Sequence, residues 1–560
     1  MREYVEYKWR LLILAIILCI AVLGLIGRII YLGIIKRDFL LDQSNIRSVR
    51  EIKLPSHRGI IMDRNGEPLA ISIAVASVWV NPKIYTATTS QEDNLSKLLN
   101  LSLKLIRKKI KARNHREFVY LKRVIPIEKA EKVMELHIPG IFLEKSYKRY
   151  YPEGAAVSQV IGFTNIDDYG QEGIELAYDS WLRGIPGRIR VIKDRLGNTI
   201  ADLGVISEPQ QGKNLTLSID RRIQYLAYNE LKNAIEKHRA ESGSVVVLSV
   251  KTGEILAMVN LPSYNPNERT KFVLNSLRNC AVTDLFEPGS TIKSFAVANA
   301  LASGKYRAES LINTNPGVLH VEGNSHPIHD DNHRNNGILT VKEVLQKSSN
   351  IGIAKISLSL PSDSLLQLLR DVGFGQSTHS GFPGEAIGFL PKTLKGRSFV
   401  LATLSFGYGI STTMLQLVEA YAVIASHGVL RPVTFLKVEQ PITGTSVLSV
   451  TVSNKMLELL EAVLDIGGTG RSARIPGYRV AGKTGTAYIA SPTGGYYKDR
   501  YFATFVGIAP TSDPQLVIGV IVKNPRGVYH GSQVAAPVFV NIMSGALRIL
   551  NVQFDDIENM

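Results

Sequence analysis

Glu287-Pro288-Gly289-Ser290-Thr291-Ile292-Lys293 decides how this 560-residue chain is read. Pro288-Gly289 is a breaker pair, and from Ser290 to Ala302 no further Gly or Pro occurs, so a helix is predicted to begin at the serine. Ser290 then stands where unpaired N–H groups and the positive end of the helix dipole gather. Lys293 lies three residues on, on the same face. A serine hydroxyl needs a base to become a useful nucleophile, and a lysine held near another cation gives up its proton and serves as one. No other Ser-x-x-Lys occurs in the chain. Ser290 is expected to be a nucleophile and Lys293 its general base.

Two motifs downstream complete the chemistry. Ser348-Ser349-Asn350 falls between two helix-like stretches. The Ser348 hydroxyl can relay a proton to a leaving amine, and the Asn350 amide can hold a peptide backbone; taken alone, Ser-x-Asn is an ordinary helix cap. Lys483-Thr484-Gly485-Thr486 lies in a strand-like run. Lys483 offers a positive charge to a substrate carboxylate, and Gly485 allows close backbone approach. The backbone N–H of Thr486, with that of Ser290, would form an oxyanion hole. Lys251-Thr252-Gly253 repeats the tripeptide, but apolar strand on both sides marks that copy as a hairpin turn.

The fold follows by working outward from these motifs. Ser244–Val250 and Glu254–Asn260 read as paired strands, and strand-like runs return at Arg479–Ile489, Tyr501–Ile508 and Leu516–Val522. Helical segments fill most of 290–470, and Asp220 caps a helix through about Arg239. Strands at both ends with helices between predict an α+β domain whose termini close one antiparallel sheet.

Nearer the N-terminus, Leu11–Gly27 is unbroken apolar and small sequence, and after Arg28 the run continues to Ile35. That is long enough to span a bilayer as an uncleaved signal anchor. Residues 38–56 read as a polar, partly helical stalk. Asn65-Gly66 between apolar runs predicts a hairpin, and 90–140 is expected to be helical. A breaker cluster at 208–213 marks a domain boundary.

The net charge of +16 raises nucleic acid as a partner. However, the excess is concentrated in 101–150, with fourteen Lys+Arg against five Asp+Glu. It comes without a nucleic-acid-binding signature and is read as a solvated basic face. Cys19 and Cys280 are not expected to pair. His326, His329, Asp330, Asp331 and His333 could ligate zinc, but Gly323, Asn324 and the asparagines around them point to a polar surface loop. No metal or cofactor is expected.

Ser-x-x-Lys, Ser-x-Asn and Lys-Thr-Gly in this order are the signature of penicillin-binding proteins and related β-lactamases. The chain resembles a class B penicillin-binding protein of the division-specific group over nearly its whole length. Arg58-Gly59-Ile60-Ile61-Met62-Asp63-Arg64-Asn65-Gly66, Arg149-Tyr150-Tyr151-Pro152, Glu172-Gly173-Ile174-Glu175, Phe382-Pro383-Gly384-Glu385 and Phe406-Gly407-Tyr408-Gly409 carry the likeness.

The resemblance implies a cytoplasmic tail at 1–10, a membrane anchor at 11–35, a mixed N-terminal pedestal at 36–212, and a penicillin-recognising transpeptidase domain at 213–560. That domain would have helices on both sheet faces and lie outside the cytoplasmic membrane. The implied reaction is acylation of Ser290 by a D-Ala-D-Ala stem peptide, then transfer to an amine on a neighbouring strand during septal wall synthesis. β-Lactams would acylate the same serine. Implied partners are a SEDS-family glycan polymerase and other division proteins. The rival readings are a D,D-carboxypeptidase or β-lactamase on the same fold, and a catalytically silent receptor or scaffold.

Overall fold

The computed structural model describes residues 3–194, 199–268, 273–322 and 325–556; Gly323 and Asn324 of the histidine-rich loop lie outside them. The chain divides into two compact units. One comprises Met1–His57, Ala74–Lys148 and Gly184–Gly212; the other comprises Arg58–Ile73, Arg149–Arg183 and Lys213–Met560.

The second unit is built on a five-stranded sheet. Five strands are labelled here in chain order: β1 Ser242–Ser249, β2 Ile255–Leu261, β3 Ala481–Ala490, β4 Tyr496–Ala509 and β5 Leu516–Lys523. Their spatial order is β2-β1-β5-β4-β3, every pair antiparallel, so β3 is an edge. The predicted strands form this one sheet, and the Lys251-Thr252-Gly253 copy sits in the β1–β2 turn. Val245–Leu248 is buried at every position, which requires cover on both faces.

Register identifies the cover. Val506 of β4 pairs with Gly519 of β5, and Gly507 with Ile518, so Gly507 and Gly519 face opposite ways. A side chain at Gly507 would meet Phe539, while one at Gly519 would meet Val418 and Met414. Helix α2, Gly531–Ile549, therefore covers one face and helix α1, Met414–Ala425, the other. Asp220 caps helix Arg221–His238 as predicted, accepting from the Arg222 N–H.

Three sequence motifs far apart in the chain meet in this unit. Arg58 Nε donates to Glu175 Oε2 at 2.8 Å, Arg149 Nε to Glu175 Oε1 at 2.6 Å, and Arg58 Nη1 to Asp179 Oδ1 at 2.7 Å. Arg58, Arg149 and Glu175 are buried, so their charges survive only because each finds the other. The Asn65-Gly66 turn joins Ile61–Met62 to the strand from Pro68, as the hairpin signal predicts.

The first unit has its own core, with Val78, Val80, Leu95, Leu99, Ile106, Val119, Leu121 and Val133 among its members. Within 90–140 the helical expectation holds for Thr89–Leu99, Leu103–Lys111 and Ile127–Met134. It fails for Val119–Ile125, a strand paired with Ala76–Val80. There Val119 and Leu121 point inward while Tyr120 and Lys122 are only partly buried, a period of two rather than 3.6. The stalk is helix Arg37–Ser48 followed by strand Val49–Leu54. Before it, Lys8–Ile35 forms 28 residues of helix, long and apolar enough to cross a membrane; Tyr31–Ile35 is a π-helical turn.

Candidate active site

Gly289–Ile292 forms a 3₁₀ turn that runs directly into helix Lys293–Ala302. Ser290 is partly exposed at the start of this element, as the breaker pair predicts, while Lys293 one turn on is buried. The turn is held against β3 at very short range. A side chain at Gly485 would meet the Pro288 carbonyl oxygen at 3.2 Å and Thr291 Cγ2 at 3.1 Å. The close approach that Gly485 allows is therefore to the segment carrying Ser290, inside the protein. From another side, a side chain at Gly407 would meet the Gly289 carbonyl oxygen at 2.1 Å.

The Lys293 amine is the hub of the site. It donates to Ser348 O at 2.5 Å, to Ser348 Oγ at 3.1 Å and to Asn350 Oδ1 at 2.6 Å. Its pKa is held well below the usual lysine range: burial disfavours the charge, Lys483 adds repulsion, and Asp330 and Asp331 oppose them. The Lys483 amine donates to the same Ser348 Oγ at 3.1 Å and to Thr484 O at 3.3 Å. Burial lowers its pKa to about 7. Two buried lysines thus share one serine hydroxyl, and burial weakens the hold of each on its proton.

Ser348 reaches this position through its backbone. The helix Val341–Gln346 opens with a Thr340/Glu343 capping box, and Ser348 follows its end at φ 57°. A left-handed non-glycine residue costs of order 1–3 kcal/mol and persists where its surroundings hold it. Here Ser349 caps the next helix, Asn350–Leu358, by accepting from the Gly352 N–H. Its own hydroxyl donates to Asp330 Oδ2 at 2.8 Å, and the Ile351 N–H donates to Asp330 Oδ1 at 3.0 Å.

Asp330 is therefore a buried anchor beneath the second motif. This corrects the expectation of a surface loop for that residue; His326, Asp331 and His333 remain exposed. Glycines and asparagines around Asp330 gave no apolar signal of burial. Among the described residues no group of three or more His, Cys, Asp or Glu could hold a metal ion.

Asn350 is also tied inward. Its Oδ1 accepts from Lys293, and its Nδ2 donates to His329 O at 2.8 Å. One of its two amide hydrogens is thereby committed. Tyr421, a second residue that sequence reasoning missed, donates from its buried hydroxyl to Thr291 O at 2.8 Å and lies 2.8 Å from Ser294 Oγ. It braces the turn behind Ser290, and its burial on an apolar helix hides that role in the sequence.

A cavity of about 540 Å³ opens over Ser290. Ser348, Asn350, Thr484 and Thr486 line it, with aromatic residues on one side, including Tyr408 and Tyr501, and His329, Asp331 and His333 on another. Lys293 and Lys483 lie beneath, both buried. Every site residue expected from the three motifs is thus within one small region. The aromatic lining was not foreseen, although Phe406-Gly407-Tyr408-Gly409 contributes to it.

Comparison with known proteins agrees with this arrangement. Residues 243–544 match the penicillin binding protein transpeptidase domain, and 53–217 match the penicillin-binding protein dimerisation domain. The chain is 40% identical over 554 residues to the peptidoglycan D,D-transpeptidase FtsI of Escherichia coli, covering 98% of this chain and 93% of that one. It is 39% identical over 553 residues to the probable peptidoglycan D,D-transpeptidase PbpC of Pseudomonas aeruginosa, covering 99% and 97%. Among solved structures, penicillin-binding protein 3 of Mycobacterium tuberculosis complexed with aztreonam aligns with a TM-score of 0.70 and 28% identity. That alignment covers 90% of this chain and 98% of that one.

Proposed function

The chain belongs to the class B penicillin-binding proteins, which join a dimerisation module to a transpeptidase domain, and from that premise we propose that Ser290 is the residue its substrate acylates. The protein is a peptidoglycan D,D-transpeptidase. The observation that carries the assignment of roles is the buried Lys293 amine, one helical turn from Ser290 and bonded to Ser348 and Asn350.

The steps follow from those contacts. Neutral Lys293 takes the Ser290 hydroxyl proton as Oγ attacks the carbonyl carbon of the penultimate D-Ala. The N–H groups of Ser290 and Thr486 receive the oxyanion. Ser348, bonded to both lysines, passes the proton to the departing D-Ala amine. The donor lies along the free edge of β3 as an added strand, its carboxylate at Thr484 and Thr486, with the charge of Lys483 behind them. An acceptor amine then displaces Ser290, forming the cross-link. β-Lactams stop at the acyl stage.

The test is Ser290→Ala. It abolishes covalent labelling by a fluorescent penicillin while thermal unfolding is preserved, and mass spectrometry of the unmodified protein finds the drug on Ser290. Adduct on any other residue refutes the assignment. Rapid loss of the label would indicate a hydrolase instead.

We place the catalytic domain, 213–560, outside the cytoplasmic membrane, at the septum; the one helix among the described residues that is long and apolar enough to cross a membrane supports anchoring there. Depletion should give filaments; round cells would point to elongation. A SEDS-family polymerase is the proposed partner, and co-purification that survives replacement of residues 11–35 by an unrelated membrane helix would argue against contact through that segment.

A further inference from the structure

Two neighbouring carboxylates lie close enough to oppose the loss of charge on the catalytic lysine, and among the described residues only Asp330 is tied into the fold through its side chain. Asp330 is buried and takes hydrogen bonds from the Ser349 hydroxyl and the Ile351 N–H. Asp331 is exposed and lines the cavity over Ser290. Among the described residues its carboxylate makes no ion pair or side-chain hydrogen bond. It sits on the short turn Asp331–His333, and the loop before it is tied to the second motif by Asn350 Nδ2 to His329 O at 2.8 Å. The other titratable groups lining the cavity are Asp330, His329, His333, His530 and Lys347, besides its tyrosines, with Lys293 and Lys483 beneath.

In the acyl-enzyme the edge of β3 holds the donor, so the second substrate must arrive over another wall. That substrate is an amine, and an aliphatic primary amine ionises near pH ~10, so it arrives as an ammonium ion. Among the residues lining the cavity the only other carboxylate is Asp330, which is buried and already bonded to Ser349 and Ile351. Resting on the reading of the reaction given above, we infer that Asp331 is the acceptor's docking residue, which draws in its ammonium group and holds the nitrogen beside the acyl carbonyl.

The ammonium loses one proton to water, not to Asp331. The amine nitrogen then bonds to the carbonyl carbon and the carbon–Oγ bond to Ser290 breaks. The second nitrogen-bound proton returns to Ser290 Oγ through Ser348 and Lys293. Asp331 selects the acceptor and takes no part in the proton transfer.

The experiment reads how the acyl-enzyme partitions between aminolysis and hydrolysis. Full-length protein in detergent is given a thioester donor peptide and one of two acceptors. D-Alaninamide has an α-amino group that titrates near pH ~8 and is mostly cationic at neutrality; methoxyamine is neutral there. Partition is measured after acylation, so a change in acylation rate alone does not move it.

Asp331→Asn should lower the aminolysis-to-hydrolysis ratio for D-alaninamide by about two- to fivefold, the size expected of one exposed ion pair. It should leave the methoxyamine ratio in place, and Asp331→Glu should restore the first. An equal fall for both acceptors, or no fall for either, overturns the inference. Failure of the unmodified protein to form any acyl-enzyme with the donor would overturn the underlying reading instead.

Discussion

Lys483 illustrates how one side chain serves function against stability. Its pKa is lowered to about 7 by burial, while in the unfolded chain it is near ~10.4. Between these values the unfolded state binds the extra proton, so stability rises with pH across that window. The burial cost is thus complete below pH ~7 and fades toward ~10.4. Lys483→Met should raise the melting temperature by roughly 2–4 °C per kcal/mol recovered, more at pH ~6.5 than at ~10. The same change should slow acylation by carboxylate-bearing β-lactams about tenfold or more relative to their methyl esters, since a charge-assisted contact is worth ~1.5–3 kcal/mol. Equal slowing of acid and ester would mean that the lysine serves Ser348 alone. Asp330 works the other way, supporting fold and site together. Asp330→Asn removes acceptor capacity beneath Ser349 and Ile351 and should cost ~1–3 kcal/mol, read as a lower melting temperature. Slower acylation should accompany it as Asn350 shifts from Lys293.

At the scale of elements, the Arg58–Glu175–Arg149 cluster ties segments 58–73 and 149–183 to each other within the unit that holds the catalytic sheet. Glu175→Ala would leave two buried guanidinium groups without their shared carboxylate, and breaking a buried pair costs ~3–5 kcal/mol. Chemical denaturation should show that loss; a change below ~1 kcal/mol would mean that water or Asp179 replaces the carboxylate. The sequence displays all three residues inside motifs, yet 117 residues separate Arg58 from Glu175, and no local pattern says that they meet. Local patterns do reveal what is decided locally. The Asp220 cap, the Asn65-Gly66 hairpin, the strands of the central sheet and the helix start at Ser290 all follow from neighbouring residues. Val119–Ile125 reads as helix because Arg123 stands at an inward position of its alternation and, with Lys122, continues the basic pattern of the helix just before it. Asp330 escaped because its burial depends on Ser349 and Ile351, about twenty residues downstream, capturing a side chain from a polar loop.

Over the whole molecule, the two cores draw on different residues: one on 61–70, 151–182 and 215–547, the other on 76–141. Neither uses the N-terminal helix, whose apolar side chains, such as Leu11 and Leu25, stay exposed at about two-thirds of their full area. An exposed apolar surface of that extent marks contact with lipid or another membrane segment. Removing residues 1–37 deletes that surface and no core residue. It should yield a protein soluble without detergent that melts cooperatively and reacts with fluorescent penicillin at a rate within about twofold of the full chain. The rate is the discriminating measurement, because Ser290, Lys293, Ser348 and Lys483 take all their observed partners from residues beyond 288. A truncated protein that is folded and soluble yet fails to acylate would show that the membrane segment, or whatever it binds, sets the geometry at Lys293. The acylation site would then be incomplete without the anchor.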